Sequence, residues 1–141
     1  EHYEISNFSK SGYNSKHNLN YWNNNTYYGF GVAAHGYEGN TRYFNTSNPE
    51  EYIKNPTTHK NVHKLTKQEQ LEEEIFLGFR KMDGINIEKI NQKFNIDFRK
   101  KYAPIIDKYV SYKFLKETNT GFTLTNDGIL ISNTILSEFL E

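Results

Sequence analysis

The sequence predicts an α+β fold: short strands and turns in the first third, one short helix after them, and a helical second half that contains a hairpin. Three observations predict it. Aromatic, β-prone runs up to Phe44 are broken by glycine and asparagine. From Thr66 the apolar residues recur at helical spacing. The 141 residues are 35% hydrophobic and 16% aromatic, enough to build one ordinary core or two small ones.

Residues 3 to 8 predict a strand, closed by the turn residues Ser9 to Gly12. Between Asn14 and Thr26 polar amides dominate and predict a surface loop. Tyr27 to Ala34 predicts a buried strand whose glycines admit a close neighbour. Gly36 to Tyr43 predicts a hairpin around Glu38-Gly39-Asn40. Asn48 and Pro49 mark a short helix, the first as cap and the second at the opening position, where its missing N–H costs nothing. Residues 56–65 are polar and aperiodic, so they are expected to be a linker between residues 1–55 and a second domain over 66–141. Thr66 and Glu69 form a capping box for a helix carrying Leu71, Ile75, Phe79 and Met82, stopped at Gly84. Asn86 caps a second helix and Asp97 a third, which Pro104 should kink or divide. Thr118 to Gly121 predicts a hairpin turn, and Thr125 caps a last helix. Three helices, a hairpin and a helix make a winged-helix-like domain.

Seventeen basic and seventeen acidic residues give a formal net charge of zero, so the bulk electrostatic footprint of a nucleic-acid binder is missing. Arg99-Lys100-Lys101 on the third helix is the one basic run, set against Glu72 to Glu74, and no nucleic-acid partner is expected. No apolar run approaches the roughly 20 residues needed to cross a bilayer. The expected compartment is the cytoplasm. Cysteine is absent, which removes disulfides, thiolate zinc sites and any cysteine-held cluster. His59 and His63 have a spacing that suits zinc on a helix, but their polar context predicts solvated histidines. Asn24-Asn25-Thr26 and Asn45-Thr46-Ser47 fit the glycosylation pattern and are expected to be chance.

The chemistry concentrates in residues 17 to 36. His17, Asn18, Asn20, Tyr21 and Trp22 combine groups that can ligate or stack on a flat aromatic ligand. Gly29 to Gly36 is small-residue backbone that a ligand or strand can approach closely. Together with Tyr3-Glu4-Ile5-Ser6-Asn7-Phe8, Gly12-Tyr13, Leu124-Thr125-Asn126-Asp127-Gly128 and Ser132-Asn133, these stretches resemble the C-terminal part of the oxygen-independent coproporphyrinogen III oxidase-like radical S-adenosylmethionine proteins. The His-Asn-x-x-Tyr-Trp form at 17–22 is similar to that of the family's heme chaperone branch.

That resemblance implies a parent protein that binds heme and passes it to acceptor proteins. It implies heme contacts at His17, Asn18 and Tyr21, with His17 as the iron ligand. Lys16 stands where the family usually has arginine, so a point charge replaces a planar fork. Ala34 and His35 correspond to the strand whose backbone touches S-adenosylmethionine. The first 55 residues become the C-terminal remnant of a radical S-adenosylmethionine (β/α) barrel, partnered by an N-terminal barrel portion. The second domain becomes an appendage that helps to cover the site. The 4Fe-4S cluster of the parent is not bound by this cysteine-free chain, which opens at Glu1 and is expected to be a catalytically inert fragment. Two other readings stand beside it: an oxygen-independent coproporphyrinogen III oxidase, and an interaction module formed by the winged-helix-like half.

Overall fold

The computed structural model describes residues 1–140; the last residue of the expected second domain, Glu141, lies outside them. In chain order the elements are β1 (His2–Glu4), β2 (Asn7–Phe8), α1 (Lys16–Trp22), β3 (His35–Glu38), β4 (Thr41–Asn45), α2 (Pro49–Lys54), β5 (His59–Lys64), α3 (Lys67–Gly78), β6 (Ile85–Asn86), α4 (Ile87–Phe94), α5 (Phe98–Lys101), α6 (Ala103–Ser111), β7 (Leu115–Glu117), β8 (Gly121–Leu124), α7 (Asn126–Leu130) and α8 (Ser132–Ser137). The architecture is a mixed α/β one. It divides into two compact units, Asn25–Gln70 on one side and Glu1–Asn24 with the chain from Leu71 onward on the other. None of the described helices is long and apolar enough to cross a membrane.

In the unit that holds both ends of the described chain, the core is built by Leu71 and Ile75 on α3 and Phe79 just beyond it, with Ile90, Phe98, Ile106, Leu115, Phe122, Ile135 and Phe139. Their spacing is what the helical pattern predicted. Asn86 caps α4 through the Lys89 N–H, and Asp97 caps α5 through the Lys100 N–H, at 2.9 and 3.0 Å. Pro104 divides the third helix into α5 and α6, because its ring and missing N–H interrupt the ladder at Tyr102. The hairpin β7–β8 forms as expected, but a third strand joins it: Ile85 pairs with Phe122 and Asn86 with Gly121, giving the order β6-β8-β7. Two helix ends differ from the sequence reading. α3 stops at Gly78, six residues before Gly84, and the last helix is broken at Ile131 into α7 and α8.

The same unit overturns two further expectations. Residues 3 to 8 are not one strand but a tight hairpin, β1 against β2. Its backbone docks on a distant segment: Ile5 N–H donates to Arg80 O at 2.9 Å and Met82 N–H to Tyr3 O at 3.2 Å. Residues 16–22 are not a loop but helix α1, capped by Ser15, whose hydroxyl accepts from the Asn18 N–H at 3.3 Å. Asparagine disfavours helix interiors; here the serine cap and the packing of Trp22 under Arg80 outweigh it.

In the other unit, β3-β4-β5 form a three-stranded antiparallel sheet. The β3–β4 hairpin turns at Gly39-Asn40 as expected, and Asn48 and Pro49 open α2. The segment read as a linker instead supplies β5, which pairs along β4 from Thr41 opposite Lys64 to Asn45 opposite His59. Every residue of β5 is exposed, so backbone pairing alone makes it a strand and no alternation marks it in the sequence. Tyr27 to Ala34 is not a buried strand either. Only Tyr27 bridges to Tyr37, and beyond it the chain leaves the sheet, with Gly31 and Ala33 at φ of 106° and 57°. Left-handed residues cannot continue a strand.

Candidate functional site

Helix α1 presents the first cluster. His17 and Tyr21 are one turn apart, and their rings meet edge to face with centroids 4.8 Å apart and planes at 85°. His17 is exposed, and neither of its ring nitrogens is hydrogen-bonded among the described residues, so an imidazole nitrogen is available to a metal. Asn18 is half-buried, its N–H held by the Ser15 cap. At the C-terminal end of α1, the Arg80 guanidinium lies 4.6 Å from the centre of the Trp22 ring. The Lys81 ammonium donates to Asn23 Oδ1 at 2.7 Å. Burial pushes the Lys81 ammonium below its ordinary value, against the attraction of Glu74 and Asp83.

The second cluster lies in the other unit and is organised by Asn45, which is 1% exposed. Its Nδ2 donates to the carbonyls of Gly29 and Gly31, both at 2.9 Å, and its Oδ1 accepts from His59 Nδ1 at 3.0 Å. The His59 ring rests on Tyr43, with centroids 3.9 Å apart. The Gly31 N–H donates to the Tyr52 hydroxyl at 2.9 Å, and the Ala33 N–H to Thr46 O at 2.9 Å. A Cβ at Gly29 would lie 2.5 Å from the His35 carbonyl oxygen, so only glycine fits this approach. The result is a fixed loop with an apolar outer side: Phe30 is 86% exposed, and Tyr28 and Val32 are exposed beside it.

The structure thus brings His17, Asn18 and Tyr21 together on one helix and places Ala34 and His35 at the entry of β3 in the other unit. Ala34 already uses its backbone locally. Its carbonyl accepts from the Asn45 N–H at 2.9 Å, and its N–H reaches Gly31 O at 3.3 Å. His35 is exposed, and its ring lies 5.3 Å from that of Phe44 on the neighbouring strand. His59 and His63 are exposed, as expected, but lie on strand β5: His63 Nε2 is 2.8 Å from Glu69 Oε1, and His59 holds Asn45. No cluster of three or more histidine, aspartate or glutamate side chains that could hold a metal ion occurs among the described residues. Sequence reasoning missed Asn45, Tyr52 and Arg80. Asn45 drew notice only as part of a glycosylation pattern, and its buried amide is committed to the loop.

Residues 65–131 match the model of the HemN C-terminal domain. The chain is 39% identical to the heme chaperone HemW of Lactococcus lactis over 99% of its length, and 36% identical to the heme chaperone HemW of Bacillus subtilis over 98%. It spans 37% and 38% of those relatives, so a little over a third of their length. Among solved structures, its fold is similar to that of Escherichia coli coproporphyrinogen III oxidase (HemN), described as a radical SAM enzyme. The TM-score is 0.65 and the identity 14%, over 82% of this chain and 28% of that one. The chain is thus similar over nearly its whole length to part of the heme chaperones HemW, and its second half matches the HemN C-terminal domain.

Proposed function

We propose that this chain carries the heme-binding part of a heme chaperone, with His17 as the iron ligand, Tyr21 against the porphyrin face and Asn18 beside them. The observation that carries this reading is the His17–Tyr21 pair on α1, one turn apart, with an exposed imidazole free of hydrogen bonds, in a chain similar over nearly its whole length to heme chaperones. A neutral imidazole nitrogen is an ordinary axial donor to heme iron, and a tyrosine edge-on to it fixes the ring plane. Bound heme would supply the cargo to be passed to acceptor proteins. The chain's own part is to offer a ligand on an exposed helix, from which a partner can take it.

S-adenosylmethionine and a 4Fe-4S cluster belong to the longer protein in this reading. The cysteine-free chain holds no cluster ligand. Ala34 and His35 would line the S-adenosylmethionine site by shape, since the Ala34 N–H and carbonyl already have partners within the loop. Residues 1–55 would belong to the barrel of the N-terminal portion, and residues 66–141 would form a winged-helix-like appendage. Neither role calls for nucleic acid. The protein is expected to work in the cytoplasm.

Titration of the chain with heme, followed in the Soret region, tests the reading. Wild-type protein is expected to give a saturable, near-stoichiometric shift that His17→Ala abolishes and Tyr21→Phe keeps. An unchanged titration in His17→Ala would remove α1 as the heme site.

A further inference from the structure

Arg80 and Lys81 are adjacent cations held beside the C-terminal end of α1. Lys60, Lys93, Arg99 and Lys108 each contact a carboxylate within 2.7 Å. Among the described residues neither Arg80 nor Lys81 has one. The guanidinium stacks on Trp22, its Nε is buried without a partner, and its Nη2 makes a single long bond of 3.4 Å to Ser6 Oγ. The indole Nε1 of Trp22 is likewise buried and unpaired. Lys81 is partly desolvated, and its one hydrogen bond goes to a neutral amide, Asn23 Oδ1. The nearest buried carboxylate, Glu4, is engaged by the Ser6 N–H at 3.2 Å and by Asn7 Nδ2. Glu74 is paired with Lys93, and Asp83 is exposed.

An arginine with five donors is built to hold a planar anion in its fork. Two adjacent cations without a carboxylate in direct contact, one on an aromatic ring and one half-desolvated, leave donors open beside the end of α1. Trp22 is the chain neighbour of Tyr21 and lies roughly 7.5 Å along the axis and about 140° around the helix from His17, so an acid side chain at the ring's edge, rather than the ring, would have to reach it. We infer that Arg80 and Lys81 form a carboxylate subsite for the ligand of α1, taking an acid side chain at the edge of the flat ring that His17 ligates. The inference rests on the heme reading for His17 and Tyr21. Lys16, the cation next to His17 in sequence, is then not the main anion contact.

Two signals separate the parts of this proposal. The Soret shift reads iron ligation at His17, while quenching of Trp22, the single tryptophan, reads occupancy beside Arg80. The probes are iron protoporphyrin IX and its dimethyl ester, which keeps the ring and iron but has no free carboxylate. Wild-type chain is expected to bind the acid roughly tenfold or more tightly than the ester, the scale of a charge-assisted hydrogen bond. Arg80→Gln should bring that ratio close to one with the Soret maximum unmoved, Lys81→Gln should narrow it, and Arg80→Lys should restore part of it. Circular dichroism of each variant checks that α1 is retained. Equal weakening of acid and ester in Arg80→Gln overturns the subsite and leaves the two cations as packing for the end of α1. If His17→Ala leaves the Soret shift intact, the heme ligand assignment fails, and the subsite still stands or falls on the acid-to-ester ratio read by Trp22. If neither probe quenches Trp22, the subsite falls, whatever the Soret shift says of His17.

Discussion

Asn45 shows how much one side chain can decide. It closes three hydrogen bonds at once, two to loop carbonyls and one from His59, with its own side chain 1% exposed. Asn45→Ala would orphan these groups, and each buried unsatisfied group costs about 1–3 kcal/mol. A lower urea midpoint is expected, together with faster amide exchange across residues 28–34; unchanged exchange there would show that Tyr52 and Thr46 suffice. Glu69 makes a second residue-level case. The Thr66 N–H first, then the His63 ring and the Thr66 hydroxyl, hold its carboxyl down to about 2 from the ordinary 4.5. An acid depressed by folding stabilises the fold above its unfolded value, and this contribution is lost as pH falls through about 2. Urea midpoints measured from pH 5 down to pH 2 are expected to fall more steeply for wild type than for Glu69→Gln. Parallel slopes would mean that the cap forms equally well with the protonated acid.

At the scale of elements, the helix starts follow from local chemistry and the strands do not. Asn48, Thr66, Asn86, Asp97 and Thr125 all cap where the sequence placed them, because a cap bonds only to the next few N–H groups. Strand β6 is two residues long and exists because β8 lies beside it. Its pairing depends on Gly121, where a Cβ would sit 2.2 Å from the Ile85 carbonyl oxygen. Gly121→Ala is therefore expected to separate β6 from β8 and to cost about 1–3 kcal/mol, the usual range for overpacking. Thermal unfolding measures it, and a melting temperature equal to wild type would show that the strand can shift. Helix α1 lies between these cases: Ser15 gives it a local start, but a run so rich in asparagine needs the contact of Trp22 with Arg80 to hold it.

At the scale of the molecule, the C-terminal end of the chain completes the core of the unit to which it belongs. Phe139 is 1% exposed and packs against Phe79, Phe98 and Tyr102. Phe139→Ala should cost about 3–5 kcal/mol, seen as an early loss of the near-ultraviolet aromatic signal on denaturant titration; a variant that unfolds with wild type would place the cohesion of that unit elsewhere. The hydrophobic face of α3, the caps, the divided helix at Pro104 and both hairpin turns at 39–40 and 118–121 were legible in the sequence, as was the kinship that points to His17, Asn18 and Tyr21. Each of these depends on side chains within about a turn of one another, or on a recurring spacing, and so leaves a pattern in the sequence. Other features were settled only by tertiary structure: the docking of residues 3–5 on 80–82, β5 as a strand where a linker was expected, the loop pinned by Asn45, and Arg80 beside α1. They join residues far apart in the chain through backbone groups, which every residue carries alike, or through single polar side chains without periodicity, so nothing in the order of amino acids announces them.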